Sequence, residues 1–282
     1  MRIAETSDIL QLLMLWQKCF DDSEEMISLF MRKRFPDSFV LVAEEDGKIV
    51  SALYLISSNI NNNGVIFPAH YVYSAATLPE YRGRGLMSSL IEFSFEVSRK
   101  NKAGYSFLLP SGTSSASFYE KFGYKNAFFK KTASFESGKI GLKRIKTNEI
   151  TPEEMLEISK EYFKKDKFSL LWSEDDYEYL LKDTKIAKGF AAGFSYGGNR
   201  GYVVALPKEN RVEIEEIICE KSALPFVLAA VKYNLPANEY VVRTKANSLL
   251  FDSEIKPFGM LKTINGRTLS KNILPYLSLA FS

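Results

Sequence analysis

The sequence is poor in the residues that characterise metal sites, disulfide frameworks and membrane spans. Its 282 residues include two cysteines and one histidine. Cys19 and Cys219 are far apart and lie in apolar surroundings, so they predict neither a disulfide nor a metal site. No apolar run reaches the roughly 18 residues of a membrane-spanning helix, and the first residues lack the apolar core of a signal peptide. We therefore expect a cytoplasmic protein that has no metal and no membrane partner.

An excess of charge of one sign is also missing. The chain has 37 basic and 34 acidic residues, interleaved along most of its length, which leaves a formal charge of +3. This balance gives no reason to expect a nucleic-acid partner. The densest basic stretch, residues 139–146, is interpreted as a solvated linker, although it could also contact RNA or an anionic cofactor. With 46% hydrophobic and 25% charged residues, the chain is expected to fold throughout.

Hydrophobic spacing predicts the elements of the first half. Residues 8–20 and 24–34 have the spacing of amphipathic helices, with Asp8 as the N-cap of the first. The turn signals Asp46-Gly47 and Asn63-Gly64 separate short apolar runs and predict antiparallel hairpins. The elements predicted after these hairpins are a helix from about residue 85, a strand at 105–109, a helix at 116–122 and a strand at 124–135.

The same order of elements returns after residue 150. Thr151 and Glu154 form the capping-box pattern of a helix start, and helices and strands then follow as before. We predict a first domain at 1–137, a linker at 138–150 and a second domain at 151–282. The expected fold class is α+β, an α/β three-layer arrangement in which a mixed, mostly antiparallel sheet is flanked by helices.

Residues 79–87 connect a predicted apolar strand to an amphipathic helix. A strand that enters a helix through a tight glycine turn leaves backbone N–H groups unpaired at the positive end of the helix dipole. Gly83 and Gly85 would permit close backbone approach, and Arg82 or Arg84 could pair with phosphate. The pattern therefore favours a pyrophosphate site over a plain surface turn.

Two other kinds of phosphate loop are absent from the sequence. A Walker loop needs Gly-x-x-x-x-Gly-Lys followed by Ser or Thr, and a dinucleotide fingerprint needs Gly-x-Gly-x-x-Gly inside a βαβ unit. Here Gly85 is followed by Leu86-Met87-Ser88, and the preceding strands are predicted to form an antiparallel meander. Nucleotide hydrolysis and hydride transfer are therefore not favoured.

Two motifs in the first half are similar to those of one superfamily. Residues 82–87 resemble motif A of the GCN5-related N-acetyltransferases (GNAT superfamily), Arg/Gln-x-x-Gly-x-Gly/Ala. Arg82 and Gly85 match, and Met87 at the sixth position resembles the variant of the tandem-domain, enhanced-intracellular-survival (Eis) branch. Residues 118–124, Phe-Tyr-Glu-Lys-Phe-Gly-Tyr, are similar to the superfamily's Phe-Tyr-x-x-x-Gly-Phe/Tyr segment. The two motifs agree with the superfamily in order and spacing.

This resemblance implies an acetyltransferase that uses acetyl-CoA as co-substrate. The backbone of residues 75–77 would hold the pantetheine arm, residues 83–88 the pyrophosphate, and the serines that open the next helix the other side of the cofactor. The implied cofactor-binding residues are Ala75, Ala76, Thr77, Arg82, Gly83, Arg84, Gly85, Leu86, Met87, Ser88, Ser114 and Ser115. The second domain resembles a degenerate GNAT-like domain, since the corresponding residues 218–223 contain no glycine, and we expect it not to bind cofactor.

The reaction needs both a proton acceptor and a proton donor. An amine with a pKa of about 10 must lose a proton before it attacks, and a thiolate whose pKa is about 8.5 must gain one. The resemblance places Tyr119 beside the thioester as the acid, although it could also be a packed helix aromatic. His70 could serve as the base, since an imidazole titrates near neutrality, but it is interpreted as structural, because strand alternation puts it on the face opposite Tyr71. In Eis-type enzymes the base is the C-terminal carboxylate, here that of Ser282, and a water chain is an alternative.

We thus expect an N-acetyltransferase that moves the acetyl group of acetyl-CoA to a primary amine of a small-molecule acceptor by direct attack on the thioester. The main alternative is a non-catalytic acyl-CoA-binding or regulatory module. A Fem-like aminoacyl transferase also pairs two such domains, but it would need a basic surface for tRNA. The chain could form a homo-oligomer.

Overall fold

The described residues of this computed structural model are 1–266 and 275–278. Their α-helices are α1 (Ile9–Cys19), α2 (Glu24–Lys33), α3 (Leu86–Lys100), α4 (Thr113–Glu120), α5 (Pro152–Phe163), α6 (Glu174–Ile186) and α7 (Leu224–Asn234). Their strands are β1 (Arg2–Ile3), β2 (Ser38–Glu45), β3 (Lys48–Asn62), β4 (Val65–Thr77), β5 (Tyr105–Leu108), β6 (Lys125–Glu136), β7 (Thr147–Asn148), β8 (Phe168–Leu171), β9 (Phe190–Tyr196), β10 (Asn199–Lys208), β11 (Arg211–Ile218), β12 (Glu239–Lys245) and β13 (Lys256–Thr263).

The chain forms two compact units, and neither is one continuous stretch of sequence. The N-terminal unit comprises Met1–Ala127 and the described residues from Phe258 to Gly266. The C-terminal unit comprises Phe128–Pro257 and residues 275–278. The sequence-based boundaries, 1–137 and 151–282, were contiguous and therefore differ from these units. The difference arises because β13 adds to the N-terminal sheet, and strand pairing over such a distance leaves no local signal.

The helices that open the N-terminal unit form where their spacing predicts them. Trp16 of α1 is buried against the sheet, and Ser23 caps α2 by accepting a hydrogen bond from the N–H of Met26 at 3.2 Å. Asp8 occupies the predicted N-cap position of α1, but its side chain makes no cap hydrogen bond to the helix. The Asp8 carboxylate instead pairs with Arg2 at 2.6 Å, and this pairing lowers its pKa.

The sheet of the N-terminal unit has the strand order β1-β2-β3-β4-β5-β13. All neighbours are antiparallel except β4 and β5, which are parallel. Both hairpin predictions are confirmed, since Asp46-Gly47 and Asn63-Gly64 have the positive φ angles that two-residue hairpin turns require. Helix α3 buries Leu90 and Ile91 completely in the cluster that covers this sheet. The predicted fold class, a mixed and mostly antiparallel sheet with helices, is confirmed.

A β-bulge interrupts β4 near its end. Tyr73 pairs with Tyr54 and Ala76 with Ala52, so two residues of β4, Ser74 and Ala75, lie opposite one residue of β3. Ser74 has a φ of 45°. The parallel pairing with β5 has already ended at Val72 and Leu108, and β4 continues to Thr77. The two parallel strands therefore part, which leaves one edge of the last residues of β4 without a strand partner among residues 1–266 and 275–278.

The C-terminal unit repeats this plan, with the strand order β6-β12-β11-β10-β9-β7. The predicted capping box is confirmed, because the N–H of Glu154 donates to Thr151 and the N–H of Thr151 donates to the Glu154 carboxylate. The predicted linker is not free of structure, since β7 within it pairs with β9. The parallel pair here is β11 and β12, which corresponds to β4 and β5.

No helix among residues 1–266 and 275–278 is both long enough and apolar enough to cross a membrane.

Candidate active site

The turn that follows β4 has the left-handed backbone that its glycines allow. Gly83 and Gly85 both have a φ of 78°. A Cβ at either position would meet no atom within 4 Å, so the backbone angle, and not the close approach proposed from the sequence, is what requires glycine there. Gly85 is also the N-cap residue of α3, and no side chain caps the helix. The N–H groups of residues 86–88 therefore have no acceptor within the helix.

The residues that carry these N–H groups line a cavity of about 360 Å³ in the N-terminal unit. Its lining residues are Thr77, Tyr81, Arg82, Gly83, Gly85, Leu86, Met87, Ser88 and Phe118. One of them is a cation and none is an anion. The positive end of a helix, free amide donors and a guanidinium together make a site suited to a phosphate group. The structure thus brings together seven of the twelve cofactor-binding residues implied by the motif, and it adds Tyr81 and Phe118.

Arg82 connects the glycine turn of residues 83–85 to the end of β4. Its Nε atom donates to the carbonyl of Thr77 at 3.1 Å. Two further side chains hold the same strand end, because the Ser51 hydroxyl lies 2.8 Å from the Ala76 carbonyl and 2.7 Å from the Thr77 hydroxyl, and the Cys19 thiol lies 3.6 Å from the Thr77 carbonyl. Ser51 is fully buried. These contacts fix the strand end against the turn, and those of Ser51 and Cys19 could not be predicted because the partners are far apart in sequence.

Arg84, the other arginine of the motif, does not line the cavity. Its guanidinium donates to the Glu80 carbonyl at 3.1 Å and lies 3.4 Å from the Glu45 carboxylate. It also stacks over the ring of Tyr81 at 4.8 Å. The arginine therefore supports the turn from outside, and the structure gives no contact for its predicted role toward phosphate.

The remaining implied cofactor residues do not line the cavity either. Ala76 is buried and Ala75 packs against the core that includes α3, although both belong to the bulged edge of β4. Helix α4 begins at Thr113 and not at the predicted residue 116, so Ser114 and Ser115 lie in its first turn. The Ser115 hydroxyl accepts a hydrogen bond from the N–H of Gly112 at 3.1 Å and thereby stabilises the helix start.

Tyr119 lies on α4 with its ring among other aromatic side chains. The ring centroid is 5.4 Å from that of Phe118 and 5.8 Å from that of Tyr124. Burial raises the pKa of Tyr119 to about 12, so its phenol keeps its proton at neutral pH. Tyr119 does not itself line the cavity, but its neighbour Phe118 does.

His70 has a structural environment, as its position in the strand predicts. Its Nδ1 atom lies 2.8 Å from the hydroxyl of Ser98 on α3, and its ring packs edge-on against Phe39. Burial lowers its pKa to about 4, which keeps the imidazole neutral. The other candidate base, Ser282, lies outside the described residues.

The corresponding turn of the C-terminal unit has no free amides to offer a phosphate. The N–H of Ala223 donates to Glu220 at 3.0 Å, and that of Leu224 donates to Lys221 at 3.3 Å. The next residue is Pro225, which has no N–H group. The amide donors that are open in the N-terminal unit are therefore satisfied or absent here.

In the C-terminal unit, residues near the C-terminus contact the parallel strands where they part. Pairing of β11 with β12 ends at Ile214, and Glu216 of β11 is fully buried beyond that point. The Ser278 hydroxyl donates to the Glu216 carboxylate at 2.5 Å, and the Tyr202 hydroxyl donates to it at 2.6 Å. The Ser278 carbonyl in turn accepts from the indole N–H of Trp172 at 2.8 Å.

A buried ion pair continues this network. Arg243 of β12 lies 2.6 Å from the carboxylate of Glu215, and both side chains are about 10% exposed. Arg243 also donates from Nε to the Tyr276 hydroxyl at 3.3 Å. Residues 275–278 thus contact both strands of the pair. The position that corresponds to the open edge of β4 is filled by this chain's own side chains.

A second cavity, of about 400 Å³, lies in the C-terminal unit, but its charge is of the opposite kind. Its lining includes three carboxylates, from Glu157, Glu161 and Glu220, and one cation, Arg200. Arg200 is already paired with Glu157 at 2.8 Å. An anionic pyrophosphate would be repelled there, so the somewhat larger cavity is the less suitable of the two for such a group.

Comparison with known proteins agrees with this geometry. Residues 1–127 match the family described as acetyltransferase (GNAT) domain. No curated protein sequence matches the chain. Among solved structures, a probable N-acyltransferase of unknown function from Enterococcus faecalis V583 is 18% identical, with a TM-score of 0.73 over 93% of this chain and 72% of that one.

Two further structures share the fold over nearly the whole chain. A GCN5-related N-acetyltransferase from Kribbella flavida is 17% identical, with a TM-score of 0.68 over 93% of this chain and 70% of the other. Eis1 from Mycobacterium abscessus is 13% identical, with a TM-score of 0.65 over 94% of this chain and 73% of the other. At such identities the likeness shows a common fold. The family match thus covers the N-terminal part of the chain, residues 1–127, as an acetyltransferase (GNAT) domain, and the fold that the chain shares with these structures extends over nearly its whole length.

Proposed function

We propose that the N-terminal unit transfers the acetyl group of acetyl-CoA to a primary amine of a small-molecule acceptor by direct attack of the amine on the thioester. The observation that carries this proposal is the left-handed turn at Gly83 and Gly85. It leaves the amides of residues 86–88 without acceptors in the helix, and these residues line a cavity that has no anionic side chains and includes Thr77 at the strand end. Acetyl-CoA is the activated acyl donor that the superfamily uses.

The residues present fit this co-substrate. The amides of residues 86–88 and the guanidinium of Arg82 would hold the pyrophosphate, because both provide positive potential without a competing carboxylate. The backbone edge of residues 75–77 would hold the pantetheine arm, because β5 no longer pairs with β4 there. Phe118 supplies an apolar wall. Acetyl-CoA, when bound, supplies a thioester that is activated for acyl transfer.

Tyr119 would hold a proton near the departing sulfur. Its pKa of about 12 lies above the value of about 8.5 for a thiol, so complete proton transfer to the sulfur would be unfavourable. A hydrogen bond from the phenol would still stabilise negative charge on the sulfur. In this proposal the proton of the amine leaves through water, since no carboxylate or imidazole is among the described residues that line the cavity.

The test measures thiol release from acetyl-CoA in the presence of an amine panel that includes an aminoglycoside, a polyamine, a peptide N-terminus and lysine. We expect release above background hydrolysis with at least one amine. Tyr119→Phe should lower kcat by about 100-fold, the lower end of the usual loss when one hydrogen-bond donor to developing negative charge is removed, with little change in cofactor affinity. Tyr233→Phe is the matched control, because Tyr233 is 66% exposed and lies in the C-terminal unit.

Two results would contradict the proposal in different ways. Binding of acetyl-CoA without transfer to any amine would favour a non-catalytic acyl-CoA-binding module, because the cradle would then function without chemistry. The absence of binding would reject the cradle itself. A Tyr119→Phe variant with unchanged kcat would leave the transfer activity in place but remove the role given to this residue.

A further inference from the structure

Lys262 lies on β13, which joins the N-terminal unit from the far end of the sequence. Its pairing with β5 is antiparallel, with Lys262 opposite Ser106. The Lys262 ammonium donates to the carbonyl of Phe122 at 2.7 Å and lies 4.7 Å from the ring centroid of Phe95. The side chain is half-buried. It is therefore held in one place by a hydrogen bond and a cation–π contact.

The carbonyl that Lys262 binds belongs to the turn that ends α4. The N–H of Phe122 donates to the Tyr119 carbonyl at 3.0 Å, and the N–H of Gly123 donates to the Glu120 carbonyl at 2.9 Å. These bonds leave the Phe122 carbonyl without a partner in its own turn. A cation at the C-terminal end of a helix is favourable, because the helix dipole is negative there. Lys262 thus completes the end of α4.

Gly123 shows how closely Lys262 approaches this turn. Its φ of 85° already favours glycine. A Cβ at this position would also lie 2.8 Å from the Lys262 Nζ atom. Because this atom is the far end of a flexible side chain and could shift, the positive φ is what requires glycine, and the distance shows that the ammonium lies directly against the turn.

We propose that Lys262 is a positioning residue for Tyr119. The proposal rests on the function proposed above. The carbonyl of Tyr119 accepts from the N–H groups of both Phe122 and Tyr124, so the turn that Lys262 holds also holds the tyrosine backbone. The Tyr119 ring packs against Tyr124, whose hydroxyl lies 2.7 Å from that of Ser106 on β5. Lys262 and Ser106 thus fix the turn from two neighbouring strands.

The test compares Lys262→Met, which keeps the length but removes the charge, with Lys262→Arg, which keeps the charge. We expect Lys262→Met to lower kcat by about tenfold, because a catalytic group that moves by a fraction of an ångström loses much of its effect. The affinity for acetyl-CoA should change by less than about twofold, since Lys262 does not line the cavity. Lys262→Arg should recover most of the lost activity.

A double-variant cycle distinguishes positioning from general stability. If Lys262 acts through Tyr119, Lys262→Met should have no further effect on kcat in a Tyr119→Phe background, because the two changes remove the same contribution. Additive effects would overturn the proposal, and so would a loss of cofactor affinity that matches the loss of kcat, which would place Lys262 at the cofactor. Thermal unfolding of each variant checks that it folds.

Amide hydrogen exchange gives a readout that does not depend on activity. Lys262→Met should lose protection in residues 118–124 and keep it in α3. Unchanged protection in 118–124 would overturn the proposal even in an active enzyme. If the wild type transfers no acetyl group to any amine, the proposed function fails and the catalytic part of this inference fails with it, while the exchange measurement still decides whether Lys262 anchors the turn.

Discussion

The two units share a backbone plan but differ in what occupies the same place. In the N-terminal unit, β4 bulges at Ser74 and Ala75 and parts from its parallel neighbour. In the C-terminal unit, β11 has its irregularity at Glu215, between Ile214 and Glu216, and likewise parts from its neighbour. One opening is left as a bare strand edge and the other is filled by buried polar side chains. The backbone plan alone therefore does not make a cofactor site.

The turn after the strand explains the rest of the difference. A glycine turn keeps the first amides of α3 open, whereas the amides before α7 are paired with Glu220 and Lys221 or absent at Pro225. The nearby cavities have opposite charge, with one arginine in the first and three carboxylates in the second. Amide availability and charge, and not cavity size, are the properties that distinguish the two units.

The largest expected effect comes from breaking the ion pair that lies where β11 and β12 part in the C-terminal unit. Arg243→Met leaves the buried carboxylate of Glu215 without its cation and should lower the free energy of unfolding of the C-terminal unit by about 3–5 kcal/mol. The chain has two tryptophans, Trp16 in the N-terminal unit and Trp172 in the C-terminal unit. Denaturant unfolding in a Trp16→Phe background therefore reports on the C-terminal unit through Trp172.

The control for this prediction removes both charges. Arg243→Met combined with Glu215→Gln should recover part of the lost stability, because no buried charge is left without a partner. A loss below about 1 kcal/mol in the single variant, which is typical of exposed pairs, would mean that the ion pair does not stabilise this part of the C-terminal unit as a buried pair.

An intermediate effect is expected from low pH, which should change the stability of the two units in opposite directions. The pKa of His70 is about 4 in the folded N-terminal unit and about 6.5 when unfolded. The unfolded state therefore binds more protons as the pH falls from 6.5 to 4, and the unit should lose up to about 3 kcal/mol of stability over that range. Burial raises the pKa of Glu216 in the C-terminal unit. Titration of Glu216 therefore lowers the stability of that unit as the pH rises, which is the opposite of the effect of His70.

This pH dependence can be measured from unfolding midpoints at pH 7 and pH 4.5, with Trp172→Phe and Trp16→Phe backgrounds reporting on the N-terminal and C-terminal units respectively. His70→Asn should flatten the dependence of the N-terminal unit, because the amide does not titrate. If the slope persists in that variant, groups other than His70 cause it.

The smallest expected effect concerns the glycine turn. Gly85→Ala places a Cβ at a φ of 78°, which costs about 1–2 kcal/mol and should weaken acetyl-CoA binding by about tenfold, the equivalent of 1.4 kcal/mol. The matched control is Gly198→Ala in the β9–β10 turn, which has a φ of 86° and equally open space around it. Calorimetric titration with acetyl-CoA should show no change in affinity for the control. Equal weakening by both substitutions would point to a global effect and not to the cradle.

Local features of the sequence were sufficient to predict most helices, the hairpins and the backbone of the glycine turn. Asp46-Gly47, Asn63-Gly64 and the glycines of residues 83–85 specify their backbone within a few residues, so their patterns can be read directly. The pairing of β13 with β5 could not be predicted, because the contact joins residues about 150 positions apart and β13 looks like any short apolar strand. For the same reason, the contact of Lys262 with the turn that ends α4 could not be predicted.

The directions of the side chains were the second property that could not be predicted from the sequence. Arg82 and Arg84 are both plausible phosphate ligands by sequence, but only Arg82 faces the cavity, since Arg84 is held by Tyr81 and Glu45. The buried serine at position 51 gives no sequence signal for its two contacts with the end of β4. Such roles depend on which neighbours the fold supplies, and a motif does not contain that information.

The late strand β13 has a consequence for how the protein is made. A ribosome that has synthesised residues 1–127 has produced the whole segment that matches the GNAT domain family, yet β5 still lacks the partner that pairs with it at residues 260–263. An unpaired strand edge is a template for aggregation. The nascent N-terminal unit must therefore wait through the synthesis of well over a hundred further residues before its sheet is complete, and a gene truncated after residue 127 would leave that edge permanently exposed.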